Sequence, residues 1–116
     1  DLVFTQYTHV FENPYQPYLV AGVLLNRNKV RAVHVENKTY DNVSLQDTIQ
    51  FPLSGITNAI GYNWKYYNFT TSLYQVRPEN VYLIQDVEGY FYKLHFLDFY
   101  NNSGQKGFPK FEFRRL

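Results

Sequence analysis

The sequence predicts an all-β domain, either sandwich-like or an open barrel, that ends in a three-stranded antiparallel meander. Two observations predict this class. Aromatic residues make up 20% of the 116 residues, with twelve Tyr and ten Phe, and aromatic side chains favour pleated strands. Apolar and polar residues also alternate over short segments between Gly, Pro and Asn turns, as in half-buried strands. A chain of this length is predicted to form a single domain over residues 1–116.

The first third of the chain is predicted to contain three strands. Residues 1–11 alternate loosely between apolar and polar side chains, and Pro14 and Pro17 then indicate a loop. Residues 18–25 form an apolar run that is typical of a strand buried on both faces. Residues 30–36 form a β-branched run beyond a polar turn, and we expect these last two strands to pair as a hairpin.

The middle of the chain is predicted to be mostly loop. Residues 44–49 suit one short helical turn that is capped by the Ser44 side chain. Residues 51–63 carry the Pro, Gly and Asn residues of a long loop. An apolar pair within this loop, Ala59 and Ile60, is expected to anchor it to the core.

The last half of the chain has the clearest strand pattern. A strand is predicted to begin at Trp64 and a short one to cover residues 73–76, before Pro and Asn turn the chain. Three strands then follow as a meander, because they alternate regularly and their connections are short and rich in Gly and Asn. They cover residues 81–85, 90–100 and 108–114.

One histidine, His95, lies within the long strand of the meander. Side chains alternate across a strand, so His95 shares a face with Lys93. We interpret His95 as a surface or packing residue of a half-exposed sheet face, and not as a ligand.

Composition excludes several classes of function. The chain has 11 basic and 10 acidic residues and no cysteine. Nucleic-acid binding is excluded because it needs a concentrated basic face. Thiolate metal sites and disulfides are excluded because both need cysteine. No apolar run is long enough to cross a bilayer as a helix. Serine-elbow, zinc and phosphate-loop motifs are also missing, so we expect no enzymatic activity.

The aromatic residues favour a binding function. Twelve Tyr, ten Phe and one Trp are more rings than a core of this size needs, so some are expected at the surface or against a partner. Three hypotheses follow. The chain forms a pocket for a flat apolar ligand, or it is a surface assembly module that packs against a partner chain, or it binds carbohydrate on a platform of Trp64 and its neighbouring tyrosines.

A resemblance to a known family rests on residues 1–5, 18–26, 59–64, 92–100 and 104–116. Together these segments resemble the HmuY family of surface lipoproteins. The resemblance extends over nearly the whole chain and matches the later part of a family member. Its most specific parts are the Gly-Tyr-Asn-Trp element and the closing stretch. The resemblance implies an all-β fold and a haem-binding, haemophore-like protein that is secreted or held at the cell surface as an outer-membrane lipoprotein.

The resemblance also implies where haem would be held. Family members bind haem iron between two side chains of an exposed pocket, histidines in some and methionines in others, and this chain has no methionine. One ligand segment lies just after the tryptophan, where this chain has Tyr66 and Tyr67, and a tyrosine phenolate can bind haem iron. The other segment falls near His34. The implied site therefore contains His34, Trp64, Tyr66 and Tyr67, with His34 and Tyr66 as the iron ligands.

The resemblance further implies a longer protein and its partners. Because the family's lipoprotein signal and first strands have no counterpart here, we expect the chain to be the C-terminal portion of a longer HmuY-like protein. An outer-membrane receptor or a haem-carrier protein is an expected partner. Sheet edges exposed by the absent part would favour strand pairing between chains, so we expect a homodimer or a larger oligomer.

Overall fold

The structure, a computed structural model, describes residues 1–116 as eight antiparallel strands in three sheets. The all-β prediction is confirmed, and the sheets do not close into a barrel. The single α-helix has four residues, and no helix in the structure is long and apolar enough to cross a membrane. In chain order the elements are β1 Leu2–Glu12, β2 Tyr15–Leu25, β3 Arg31–Val35, a 3-10 turn Tyr40–Asn42, α1 Asp47–Gln50, β4 Lys65–Asn68, β5 Leu73–Val76, β6 Val81–Gln85, β7 Phe91–Tyr100 and β8 Lys106–Arg115.

β1 and β2 form a long two-stranded ribbon in which every residue of β1 has a partner in β2. The predicted hairpin between residues 18–25 and 30–36 is therefore wrong. β1 offers β2 a partner of equal length, whereas β3 has five residues and pairs with β6 instead. Pro17 lies within β2 and not in a loop, because a proline is tolerated where its missing N–H faces the free edge of a strand.

The second sheet, with strand order β3-β6-β7-β8, carries the core. The predicted meander is confirmed, since β6 pairs with β7 and β7 with β8 in antiparallel register. Each face of this sheet buries an apolar cluster. The larger cluster, which includes Trp64 and Phe96, lies between the sheet and the β1–β2 ribbon, and the smaller one contains Val35, Val81 and Leu83.

β7 changes the face that its side chains occupy near its C-terminal end. Its register with β8 shifts between Phe96 and Asp98 and again between Asp98 and Tyr100, as at β-bulges. Strict alternation would put Phe99 on the face of Lys93. The irregular register instead places Phe99 in the larger cluster, where its ring meets that of Trp64 edge to face at 5.7 Å.

The face of β7 that carries Lys93 and His95 is covered, and not half-exposed as predicted. The ring of Tyr40 stacks on that of His95 with 3.9 Å between centroids, and Lys93 Nζ donates to the Tyr40 carbonyl oxygen at 2.6 Å. The two ring nitrogens of His95 lie 3.0 Å from the Pro78 carbonyl oxygen and 2.6 Å from the Glu112 carboxylate. His95 is thus a packing residue with both nitrogens engaged.

α1 falls where a helical turn was predicted, but it is held differently. The predicted cap by the Ser44 side chain is wrong, because no side chain caps this helix. Instead the Ser44 N–H donates to the Asp47 carboxylate at 2.8 Å, and Lys38 Nζ lies 2.5 Å from the other oxygen of that carboxylate. The buried Asp47 carboxylate therefore links α1 to Ser44 and Lys38.

The loop before β4 is anchored as predicted, with Ile60 only 4% exposed. Gly61 also forms an isolated β-bridge with Val23 of β2. This bridge depends on Gly22, since a Cβ atom there would lie 2.7 Å from the Gly61 carbonyl oxygen and 2.9 Å from the ring of Tyr7. The close approach of these two backbones brings the segment that follows, residues 62–67, against the β1–β2 ribbon.

Candidate functional site

A cavity of about 730 Å³ opens between the β1–β2 ribbon, the β4–β5 ribbon and the start of β8. This volume is typical of sites for small molecules and cofactors. The lining consists of residues 4–6 and 18–22 on one side, residues 62–67 with Tyr74, Arg77 and Phe99 on the other, and Lys106, Gly107 and Pro109 at the rim.

Trp64 forms the floor of the cavity. Its side chain is 1% exposed, its ring stacks on Phe96 with 4.1 Å between centroids, and its indole N–H donates to the Gly61 carbonyl oxygen at 3.1 Å. Trp64 thus lines the cavity from beneath. A stacking platform for carbohydrate must be exposed, so Trp64 cannot form the one expected under that hypothesis.

Tyr66 and Tyr67 both line the cavity, on opposite faces of β4. Tyr67 shares a face with Lys65, and its ring lies 5.2 Å from that of Tyr74 in the adjacent strand. Tyr66 points the other way, where its hydroxyl donates to the Gln75 side-chain oxygen at 2.5 Å. The two side chains are 39% and 40% exposed, so neither is the buried packing residue that a core position would need.

The structure does not bring His34 to the cavity. His34 lies on β3 opposite Tyr82 of β6, with 5.3 Å between their rings. Its place in the site was implied by the family resemblance, whereas pairing with β6 places β3 in the main sheet. His9 and His95 are also outside the lining, although the ring of His9 lies 5.1 Å from that of the lining residue Tyr62. No group of three or more His, Cys, Asp or Glu side chains is arranged to hold a metal.

Lys65 is a lining residue that the sequence reading missed. Its side chain is 7% exposed, and Nζ donates to the Ala21 carbonyl oxygen at 2.5 Å. Nζ also lies 5.0 Å from the Trp64 ring and 5.2 Å from the Phe99 ring, as in cation–π contacts. Burial removes the water that would solvate the ammonium group and lowers the pKa of Lys65 to about 8. The available signal was alternation in β4, which puts Lys65 on the inner face with Tyr67.

The cavity is lined by positive charge alone. Lys65, Arg77 and Lys106 contribute to it, whereas none of the ten acidic residues does. Arg77 is held in place, since Nη1 donates to the Asn63 carbonyl oxygen at 2.8 Å and the guanidinium lies 4.7 Å above the Tyr66 ring. No carboxylate forms an ion pair with any of the three cations. Aromatic walls with uncompensated cations suit a flat ligand that carries negative charge.

Comparison with known proteins agrees with this architecture. The family model described as HmuY protein matches residues 4–113, a range that contains every residue of the cavity lining. No curated protein sequence matches the chain. Since the family model spans nearly the entire chain, the chain belongs to the HmuY family.

Proposed function

We propose that the chain is a non-enzymatic haem- or porphyrin-binding protein and that the cavity is its binding site. One observation carries the proposal: in a chain of the HmuY family, a cavity of about 730 Å³ has aromatic walls, three cations and no carboxylate. A haem or porphyrin ring is flat and largely apolar, and its propionates add negative charge at one edge. Both features complement this lining.

The lining residues fit such a ring. Trp64 and Phe99 provide a buried aromatic floor, and Tyr18 and Leu19 of β2 are 51% and 66% exposed on the opposite wall. These exposed side chains have apolar area left to bury against a ligand. When bound, haem would supply an iron that accepts axial ligands.

Among the residues that line the cavity, Tyr67 is the proposed iron ligand. A tyrosine phenolate is an established haem ligand, and Tyr67 lies on the inner face of β4 with Lys65. Tyr66 is the weaker candidate, because its hydroxyl is already bonded to Gln75. His34 is not included as a ligand, since it lies outside the cavity lining.

A titration with haemin, followed by absorbance, tests this proposal. We expect a saturable shift of the Soret band, and we expect Tyr67→Phe to change the position of that band. Tyr66→Phe is the matched control, because it removes the neighbouring hydroxyl and should leave the band unchanged. His34→Ala should also leave it unchanged. A wild-type spectrum no different from that of haemin with an unrelated, tyrosine-rich protein would overturn the proposal.

Membership of the HmuY family supports a location at the cell surface, as an outer-membrane lipoprotein, or in the secreted fraction. An outer-membrane receptor or a haem-carrier protein is then the proposed partner that exchanges the ligand. Transfer of bound haem from a carrier protein to this chain, measured by mixing the two and separating them, would support that role. If a carrier protein that binds haem more weakly than this chain still kept all of its haem, the proposed exchange would be wrong.

A surface assembly module is the second candidate function. The far end of the β1–β2 ribbon leaves apolar side chains exposed, with Phe11 at 42% and Tyr15 at 74%, and no third strand pairs with this ribbon. Such edges favour strand pairing between chains. Sedimentation over a range of concentrations tests it, since an assembly module should gain mass with concentration and Tyr15→Ser should weaken the effect.

A further inference from the structure

Lys65 uses only part of its hydrogen-bonding capacity. An ammonium group has three N–H donors, and the protein supplies one acceptor, the Ala21 carbonyl oxygen at 2.5 Å. The aromatic rings around Nζ attract the charge but offer no lone pair. A cation that is buried in this way is costly unless further partners reach it, and the open side of Lys65 is the cavity.

The other buried lysine shows how the same fold satisfies an ammonium group that has a purely structural role. Lys93 is 5% exposed, and its Nζ donates to two carbonyl oxygens, of Tyr40 at 2.6 Å and of Val43 at 3.2 Å. Lys93 does not line this cavity. Lys65 differs on both counts, because it has one carbonyl partner and faces a cavity large enough for a ligand.

The charges near Lys65 also favour an anionic partner. Arg77 lies on the same wall and Lys106 at the rim, and both line the same cavity. No Asp or Glu lines it, so a ligand carboxylate would meet no repulsion there. Hydrogen bonds between charged groups are strengthened where water is excluded.

We propose that Lys65, assisted by Arg77 and Lys106, selects the ligand of this cavity by its carboxylate groups, so that porphyrins with carboxylates bind whether or not they hold a metal. The inference rests on the proposed function and deepens it. No histidine lines the cavity, and the chain contains no methionine. Ring stacking and carboxylate pairing do not depend on iron, so they act on the metal-free ring as well, and the proposed bond from Tyr67 to iron adds to them for haem.

The test compares three ligands: metal-free protoporphyrin, its dimethyl ester and haemin. The ester keeps the ring but removes the negative charges. We expect wild-type protein to bind the free acid about tenfold more tightly than the ester. Lys65→Met should bring that preference close to equality while the affinity for the ester changes by less than about twofold. Lys110→Met is the matched control, since Lys110 is exposed on β8 and outside the lining, and it should keep the full preference.

A second variant keeps the test decisive if Lys65→Met is poorly folded. Lys106 is exposed, so Lys106→Gln is expected to fold normally and to reduce the preference for the free acid about two- to threefold. Equal affinity of the wild-type chain for acid and ester would overturn the inference. So would a preference that survives in both variants.

The ligands also separate this inference from the function on which it rests. If haemin binds and the metal-free acid does not, carboxylate selection is wrong while haem binding stands. If none of the three ligands binds, both are wrong. Binding of the free acid, of haemin at least as tightly, and of the ester more weakly is the expected result.

Discussion

The Nζ atom of Lys65 lies 2.5 Å from the carbonyl oxygen of Ala21, and this hydrogen bond joins the β4–β5 ribbon to the β1–β2 ribbon across the cavity. One side chain thus links the two ribbons and places a buried positive charge at the candidate site. Both the stability of the fold and the choice of ligand should therefore respond to the charge of Lys65.

Stability is predicted to rise with pH over the range in which Lys65 titrates. Burial lowers the pKa of Lys65 in the folded chain to about 8, whereas a lysine in the unfolded chain has a pKa of about 10.4. Between these values the unfolded chain binds a proton that the folded chain does not, so the free energy of unfolding increases as the pH rises. We expect a gain of about 1 kcal/mol from about pH 8 to about pH 9.5.

Urea denaturation of wild type and Lys65→Met across that range measures the effect. The variant lacks the titrating group and should show no such rise. Parallel pH dependence in the two proteins would contradict the assignment.

Removing the aromatic ring beneath the cavity floor is predicted to destabilise the fold strongly. Phe96 is 0% exposed and stacks on Trp64, so Phe96→Ala should cost about 3–5 kcal/mol. Phe69→Ala is the matched control, because Phe69 is 87% exposed and its loss should change stability by no more than about 0.5 kcal/mol. Chemical denaturation of both variants checks the prediction. A comparable loss of stability in the two variants would contradict the placement of Phe96 in the core.

A methyl group at Gly22 is predicted to disrupt the contact between the β1–β2 ribbon and the loop before β4. The added Cβ atom would meet the Gly61 carbonyl oxygen at 2.7 Å, so the backbones must separate, at a cost of about 1–3 kcal/mol. Gly55→Ala is the control, since nothing lies within 4 Å of its Cβ position. The midpoint of thermal unfolding should be well below that of the control and of the wild type for Gly22→Ala. An unchanged midpoint would contradict the close approach of the backbones at Gly22 and Gly61.

Asp47 is predicted to stabilise the segment around α1 in a pH-dependent way. Burial by itself raises the pKa of Asp47, but the hydrogen bonds from Lys38 and the Ser44 N–H outweigh it and hold the pKa below its ordinary value. The stabilisation is therefore present above about pH 4 and is lost as the pH falls toward the folded-state pKa.

Asp47→Asn should cost about 1–3 kcal/mol at neutral pH, and the penalty should shrink in acid. The exposed Asp41 gives a control, Asp41→Asn, with little expected effect at either pH. Denaturation at neutral and acidic pH measures both variants. A penalty for Asp47→Asn that stays constant with pH would exclude a contribution from its charge.

The parts of the fold that the sequence predicted correctly are those set by neighbours in the chain. The β6–β7–β8 meander follows from regular alternation and short turns, and it is present in the structure. The β2–β3 hairpin was wrong because alternation identifies a strand but not its partner. Alternation alone would misplace Phe99, because an irregular register with β8 interrupts the alternation of β7.

In the candidate site, too, the residues that the sequence could predict are those that are neighbours in the chain. Trp64, Tyr66 and Tyr67 are adjacent in sequence, so local pattern and family resemblance could find them together. The opposite wall, with Tyr18 and Ala21, comes from a ribbon whose place is fixed only by its contact at Gly61. His34 was implied by the family resemblance, and local pattern could not show that β3 pairs with β6 and lies away from the tyrosines. Lys65 was within reach of sequence reasoning, because alternation places it on the inner face of β4.

A map of amide chemical shifts on titration with metal-free protoporphyrin tests most directly the claim that the cavity binds the ligand. We expect saturable shifts of the Gly22, Lys65 and Tyr74 amides and of the single indole N–H, that of Trp64, with little change at His34 or Asp47. Shifts centred on His34 and Tyr82 with an unperturbed cavity, or no shift at any amide, would contradict it.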